Sequence, residues 1–157
     1  MKIIYEASNV KFPKIRRREI TRWIRQMIIE HFNKKPGDIS YIFCSDEEIL
    51  KVNQQYLNHD FYTDIITFDY SEGDIISGDM FISLETVKTN SEQYKTDYDE
   101  ELLRVMIHGI LHLCGYGDKT SIEKKQMRKK EEEALDLIKT MLSLKYNLTD
   151  KQAKYET

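Results

Sequence analysis

Two prolines and six glycines in 157 residues leave little of the punctuation that loop-rich or low-complexity chains carry, and collagen-like repeats are excluded. Cysteine is too scarce for a disulfide scaffold. Cys44 and Cys114 stand in separate apolar runs, and no CxxC pair exists. Both read as reduced, buried small side chains, which points to a cytoplasmic protein. No apolar run approaches the roughly 20 residues of a membrane span, so no membrane partner is expected. The opening Met1-Lys-Ile-Ile-Tyr-Glu6 lacks the h-region and cleavage site of a signal peptide and reads as a strand. Neither charge sign dominates. Lys and Arg number 24 against 27 Asp and Glu, for a net charge of −3. Whole-chain electrostatics therefore announces no nucleic-acid partner, although local clusters still can.

What is present, 40% hydrophobic and 32% charged, suffices for one domain with a core. The pattern predicts an α+β fold: a single small domain over residues 1–145, with a short mixed β-sheet and helices around a central metal-binding helix, followed by a polar tail over 146–157. Strands are expected near residues 2–6, 39–44, 63–68 and 78–83. A helix from about Lys14 to Phe32 places Ile20, Trp23, Ile24, Met27 and Ile28 on one face. Pro36-Gly37 reads as a turn. Ser45-Asp-Glu-Glu48 and Thr120-Ser-Ile-Glu123 are capping boxes that open helices, the second running to about Leu144. A polar helix is expected from about Leu84 to Lys95. Asp99 is a candidate N-cap for an apolar helix carrying Leu102, Val105, Met106, Ile107, Ile110 and Leu111, which must be central and buried.

That apolar helix ends in His108-Gly-Ile-Leu-His112-Leu-Cys-Gly115-Tyr-Gly-Asp118. Side chains at i and i+4 share a helix face, so His108 and His112 can converge on one ion. Gly115 can end the helix in the left-handed conformation and let the chain bring Asp118 to the same point. Two nitrogens and one oxygen leave a fourth position for water, the layout of a catalytic rather than a structural zinc site. The competing explanation is two core histidines with ordinary hydrogen-bond partners. A metalloprotease of the H-E-x-x-H type is disfavoured, because Gly109 stands where its glutamate base belongs.

Three segments resemble the YbeY family of bacterial metal-dependent endoribonucleases, with order and spacing in agreement from about residue 39 to 133. His108-Gly-Ile-Leu-His-Leu-Cys-Gly-Tyr116 is similar to the family's H-G-x-L-H-L-x-G-Y core. Thr63-Asp-Ile-Ile-Thr-Phe68 resembles its T-D-V-L-S-F strand, with Val52-Asn-Gln-Gln-Tyr56 before it in place of L-N-x-x-Y. Gly78-Asp-Met-Phe-Ile-Ser83 resembles its G-D-I-x-I-S strand. The resemblance implies cleavage of single-stranded RNA, a role in maturation of the 3′ end of small-subunit ribosomal RNA and in ribosome quality control, and ribosomal RNA and the small subunit as partners. Two positions depart from it. Asp118 falls where the family carries a third histidine ligand. A carboxylate still ligates zinc, but its harder oxygen can move the preference from Zn²⁺ toward Mn²⁺ or Mg²⁺. Leu57 falls where the family carries an arginine, and leucine cannot stabilise phosphoryl charge.

Arg104, one turn before His108, is the candidate replacement, so the expected catalytic set is His108, His112, Asp118 and Arg104, with the first three as metal ligands. For Arg104 the competing role is an ion pair with Glu101. Asp64 is either a carboxylate that orients a ligand imidazole or a local turn former. His59 is expected at the surface or against substrate, and His31 at a helix C-terminus. Arg16, Arg17, Arg18, Arg22 and Arg25 form one basic cluster and Lys124–Lys130 another; each is either a solvated face or a set of phosphate contacts. Tyr56, Phe61 and Tyr62 either stack on bases or belong to a core. In Lys124–Glu133 cations precede acids, against the helix macrodipole, so helix stability does not explain the order. The alternative to an enzyme is a ribosome-assembly binding module whose metal is structural or lost.

Overall fold

The buried run Ile39–Cys44 lies inside a four-stranded sheet in the computed structural model, which describes the backbone of residues 2–58 and 63–156 and side chains up to residue 143. Strands β1 (Ile3–Ala7), β2 (Lys35–Cys44), β3 (Ile65–Asp69) and β4 (Ile75–Ser83) stand in the order β1-β2-β4-β3. β1 is parallel to β2 and β2 to β4, whereas β3 pairs antiparallel with β4. Parallel neighbours require crossovers. Helix α1 (Arg17–Gln26), continued by a π-helical turn over Met27–His31, carries the chain from β1 to β2; helix α2 (Asp46–Leu57) carries it from β2 to β3. Then follow α3 (Leu84–Tyr94), α4 (Tyr98–Leu113) and α5 (Ser121–Glu156). The α+β expectation is met in a mixed sheet packed with helices. Among the described residues no helix is long and apolar enough to cross a membrane.

Alternation along the strands sends Ile39, Tyr41, Phe43, Met80 and Ile82 to the face covered by α1, α4 and α5. Two polar tips pin those helices: Trp23 Nε1 donates to the Ala134 carbonyl at 2.8 Å, and the Tyr41 hydroxyl to the Met106 carbonyl at 2.9 Å. Each crosses the core where an unpaired donor would cost about 1–3 kcal/mol. The opposite face buries Cys44 and Ile66 against Ile49 of α2.

Several local expectations are corrected. Pro36-Gly37 is not a turn but the start of β2, with a register irregularity between Pro36 and Ile39. Proline fits there because pairing with β1 begins only at Ile39, so Pro36 lacks a neighbour on that side to receive an N–H. The helix expected from Lys14 begins at Arg17 and closes with the π-turn, where the Phe32 N–H reaches back to the Met27 carbonyl at 3.0 Å. Asp97, not Asp99, caps α4, its carboxylate accepting from the Glu100 N–H at 3.1 Å. The box at Thr120 closes in both directions, at 3.1 Å each way. The one at Ser45 closes only from the hydroxyl side, and Glu48 accepts from Asn9 instead. Helix α5 continues past Leu144 to Glu156.

Candidate metal centre

Helix α4 is buried along most of its length, and Gly109 sets how closely it approaches the sheet. A β-carbon at Gly109 would stand 2.9 Å from Ile65 Cδ1 and closer still to Met80 Sδ, inside contact distance for real side chains. The residue that removes a protease base is therefore fixed by packing of α4 against β3 and β4. That approach brings His108 and His112, one turn apart, to the end of the sheet where β3 begins. The helix then stops in a Schellman motif. Gly115 takes φ +96°, its N–H donates to the His112 carbonyl, and the Tyr116 N–H donates to the Leu111 carbonyl, both at 3.0 Å.

The turn returns Asp118 to the histidines. Asp118 Oδ2 lies 3.4 Å from His108 Nε2 and 3.3 Å from His112 Nε2, and the two ring nitrogens are 2.9 Å apart. On the far side of the His108 ring, Nδ1 meets Glu131 Oε2 of α5 at 2.6 Å. Glu131 is only 6% exposed. A carboxylate on Nδ1 holds the proton there and leaves the Nε2 lone pair facing His112 and Asp118, which is how protein carboxylates orient metal-binding imidazoles. Burial opposes a charge on His108, but the Glu131 hydrogen bond and charge, with Asp64 and Asp118, outweigh it and raise its pKa. One ligand atom from each of His108, His112 and Asp118 lies within 4.8 Å of the others. Two imidazoles and a carboxylate, with one ring already oriented from behind, fit a single divalent cation.

These residues form one wall of a cleft of about 480 Å³, closed by Asn53 and Leu57 of α2 and by Thr63–Thr67 and Asp69. The charged lining is acidic: Asp64, Asp69 and Asp118, with no lysine or arginine among the described lining residues. A bare phosphodiester would be repelled there; a cation would be held.

The sequence model of endoribonuclease YbeY matches residues 3–139 of this chain. The chain belongs to the YbeY family. A Bacteroides fragilis protein named endoribonuclease YbeY is 58% identical over 139 residues, covering 88% of this chain and 99% of its own length. One of the same name from Parabacteroides distasonis is 56% identical over 138 residues, covering 88% and 96%. A solution structure from Thermotoga maritima superposes with a TM-score of 0.61 at 26% identity, covering 90% of this chain and 93% of that one.

Among the residues expected at this YbeY-family site, His108, His112 and Asp118 are brought together. Arg104 is not brought into the cleft. Its guanidinium sits behind His108, 3.2 Å from Glu131 Oε1, 2.7 Å from Glu132 Oε1 and 3.9 Å from Glu101 Oε2. It thereby fixes Glu131, the carboxylate that fixes His108. Asp64 lines the cleft, and the neighbouring Thr63 hydroxyl donates to the Ile65 carbonyl at 3.4 Å. Burial raises the Asp64 pKa, against the lowering influence of His108 and of nearby donors. His31 is exposed at the end of the π-turn. Tyr56 is 62% exposed, its ring edge-on to Phe68 at 5.7 Å. His59, Phe61 and Tyr62 lie outside the described residues. Sequence reasoning missed Glu131. Its signal was there in the acids at 131–133 that run against the helix macrodipole: Glu131 and Glu132 point at Arg104 and His108 rather than serving α5.

Proposed function

We propose that this chain is a metal-dependent endoribonuclease that hydrolyses phosphodiester bonds of single-stranded RNA at the cleft containing His108, His112 and Asp118. The observation that carries this is the ligand triad in a cleft with no lysine or arginine among its described lining residues, in a chain whose relatives are named endoribonuclease YbeY. His108, His112 and Asp118 would hold one ion. Two imidazoles favour Zn²⁺, and the carboxylate keeps Mn²⁺ or Mg²⁺ within reach. When bound, such a cation supplies Lewis-acid stabilisation of charge developing on a phosphate and eases deprotonation of water. The chain's own residues do the rest. Glu131 keeps the proton on His108 Nδ1. Arg104 holds Glu131 in place as a positioning residue. Asp64 faces the same cleft with a carboxyl whose raised pKa suits it to accept a proton from attacking water. Leu57 adds no charge, so among the described lining residues none neutralises phosphate and the cation would do so.

The finer assignment follows the family resemblance: ribosomal RNA and the small subunit as partners, 3′-end maturation and ribosome quality control as the process, and the cytoplasm as the compartment. The two free cysteines suit that compartment. To test the activity, metal-loaded protein is incubated with single-stranded and duplex ribosomal RNA fragments. Cleavage of the single strands only, abolished in His112→Ala, is expected; equal cleavage by both proteins points to a contaminating nuclease. A second reading, an assembly factor that binds RNA without cutting it, is favoured by Leu57 in the cleft. Metal that stays at full stoichiometry in Asp118→Ala, with no cleavage by either protein, would support it.

A further inference from the structure

Among the described residues the cleft provides no lysine or arginine for a phosphate backbone, yet four arginines line a separate groove of about 650 Å³ at the other edge of the sheet. Arg17, Arg18, Arg22 and Arg25 project from α1 beside the free edge of β1, and the floor is Tyr5 and Thr21, whose hydroxyls share a 2.8 Å hydrogen bond. Arg18, Arg22 and Arg25 stand at i, i+4 and i+7, one stripe about 10 Å long at ~1.5 Å per residue. Arg17 is anchored over the Phe12 ring, 3.9 Å from its centre. Arg25 Nε is buried without an acceptor, an unmet donor that ordinarily costs about 1–3 kcal/mol. In a chain of net charge −3, four guanidiniums around one groove are a local feature that general basicity does not account for.

We propose that this groove binds the phosphodiester backbone of RNA at a second site, through the forks of Arg18, Arg22 and Arg25. The inference rests on the reading that RNA is the substrate. It adds that affinity and chemistry are separated. Three strand spacings of ~4.8 Å lie between β1 and β3, so the groove is at least about 14 Å from the cleft. The groove holds the strand electrostatically and without regard to sequence, while the acidic cleft engages it only through a bound cation.

The test is binding, measured without cleavage: the full chain with its metal chelated, a labelled twenty-nucleotide single-stranded RNA, and a salt series. Arg18→Gln/Arg22→Gln removes two exposed forks and leaves the partly buried Arg25 stem in place. At about 50 mM salt each phosphate contact on a single strand contributes roughly eightfold, so the variant is expected to bind about 10- to 60-fold more weakly. Its log–log salt slope becomes shallower by about 0.7 to 1.4. Lys88→Gln/Lys95→Gln removes equal charge from α3 and its C-cap and is expected to keep the slope; unchanged melting temperatures verify that all three proteins are folded. Unchanged affinity and slope in the arginine variant overturns the proposal, as does equal weakening by the lysine variant. Wild-type protein that ignores RNA but binds polyglutamate overturns it too, because the occupant is then an acidic peptide added to β1. The two readings fail separately: an intact groove result with no cleavage by metal-loaded wild type counts against the nuclease and not against the groove.

Discussion

Replacing Glu131 by Gln tests the link between α5 and the ligand set with almost no change in volume. The wild-type carboxylate is 6% exposed, accepts from His108 Nδ1 at 2.6 Å and takes one guanidinium nitrogen of Arg104 at 3.2 Å. Glutamine keeps an oxygen for one of these donors but loses the charge, and its amide can also turn N–H toward the ring. Removing a carboxylate that orients a metal-bound imidazole typically weakens affinity 10- to 100-fold, about 1.4–2.7 kcal/mol at 1.36 kcal/mol per decade. Arg104 retains Glu132 at 2.7 Å, so the fold should survive. Competition against a chromophoric chelator reads the affinity, and thermal unfolding of metal-free protein checks integrity. Glu132→Gln is the control: that carboxylate is half exposed and touches Arg104 but not His108, so its affinity should move less than threefold. Equal affinity for wild type and Glu131→Gln, with both folded, would show that the 2.6 Å contact does not orient the ligand.

Gly109→Ala forces a β-carbon against Met80 and Ile65 and should cost about 1–3 kcal/mol, read as a fall of several degrees in melting temperature; an unchanged temperature would mean that α4 has room to spare. The raised pKa of His108 gives opposite pH trends with and without metal. In metal-free protein, stability from the protonated ring is fully present below about pH 6.5 and is lost as pH rises through its raised folded value. Metal must displace that proton, so the melting-temperature gain from added Zn²⁺ should shrink from pH 8 to pH 6, and a constant gain would contradict the ligand role of His108. Burial pushes the thiols of Cys44 and Cys114 up to about 12. At pH 8 folded protein should alkylate with iodoacetamide on the order of a thousandfold more slowly than an ordinary thiol, and rapid labelling before unfolding would refute this.

The helix that carries His108 and His112 was readable because its signals agree. Apolar residues surround Val105 and Ile110, the histidines fall on one face, and Gly115 ends the helix with the φ that glycine favours. The π-turn at Met27–His31 was not readable, because Ile28 keeps helical spacing whichever hydrogen bond closes the turn. Pro36 misled for a different reason. A proline forbids a strand only where a neighbour needs its N–H, and strand order across a sheet is not written in local sequence. Arg104 illustrates the limit at the site. Its spacing from His108 is compatible with facing a phosphate or facing α5, and only the packing of Glu131 and Glu132 against it decides. Glu131 itself lies 23 residues from His108, beyond any helical periodicity.

The central claim is that His108, His112 and Asp118 hold one ion that RNA cleavage requires. Metal content and single-strand cleavage measured on the same preparations of wild type and Asp118→Ala test it most directly. One equivalent of metal and cleavage in wild type, both lost together in Asp118→Ala and cleavage restored to wild type after chelation and reloading, is the predicted result. Cleavage that persists in Asp118→Ala after its metal is gone would contradict it.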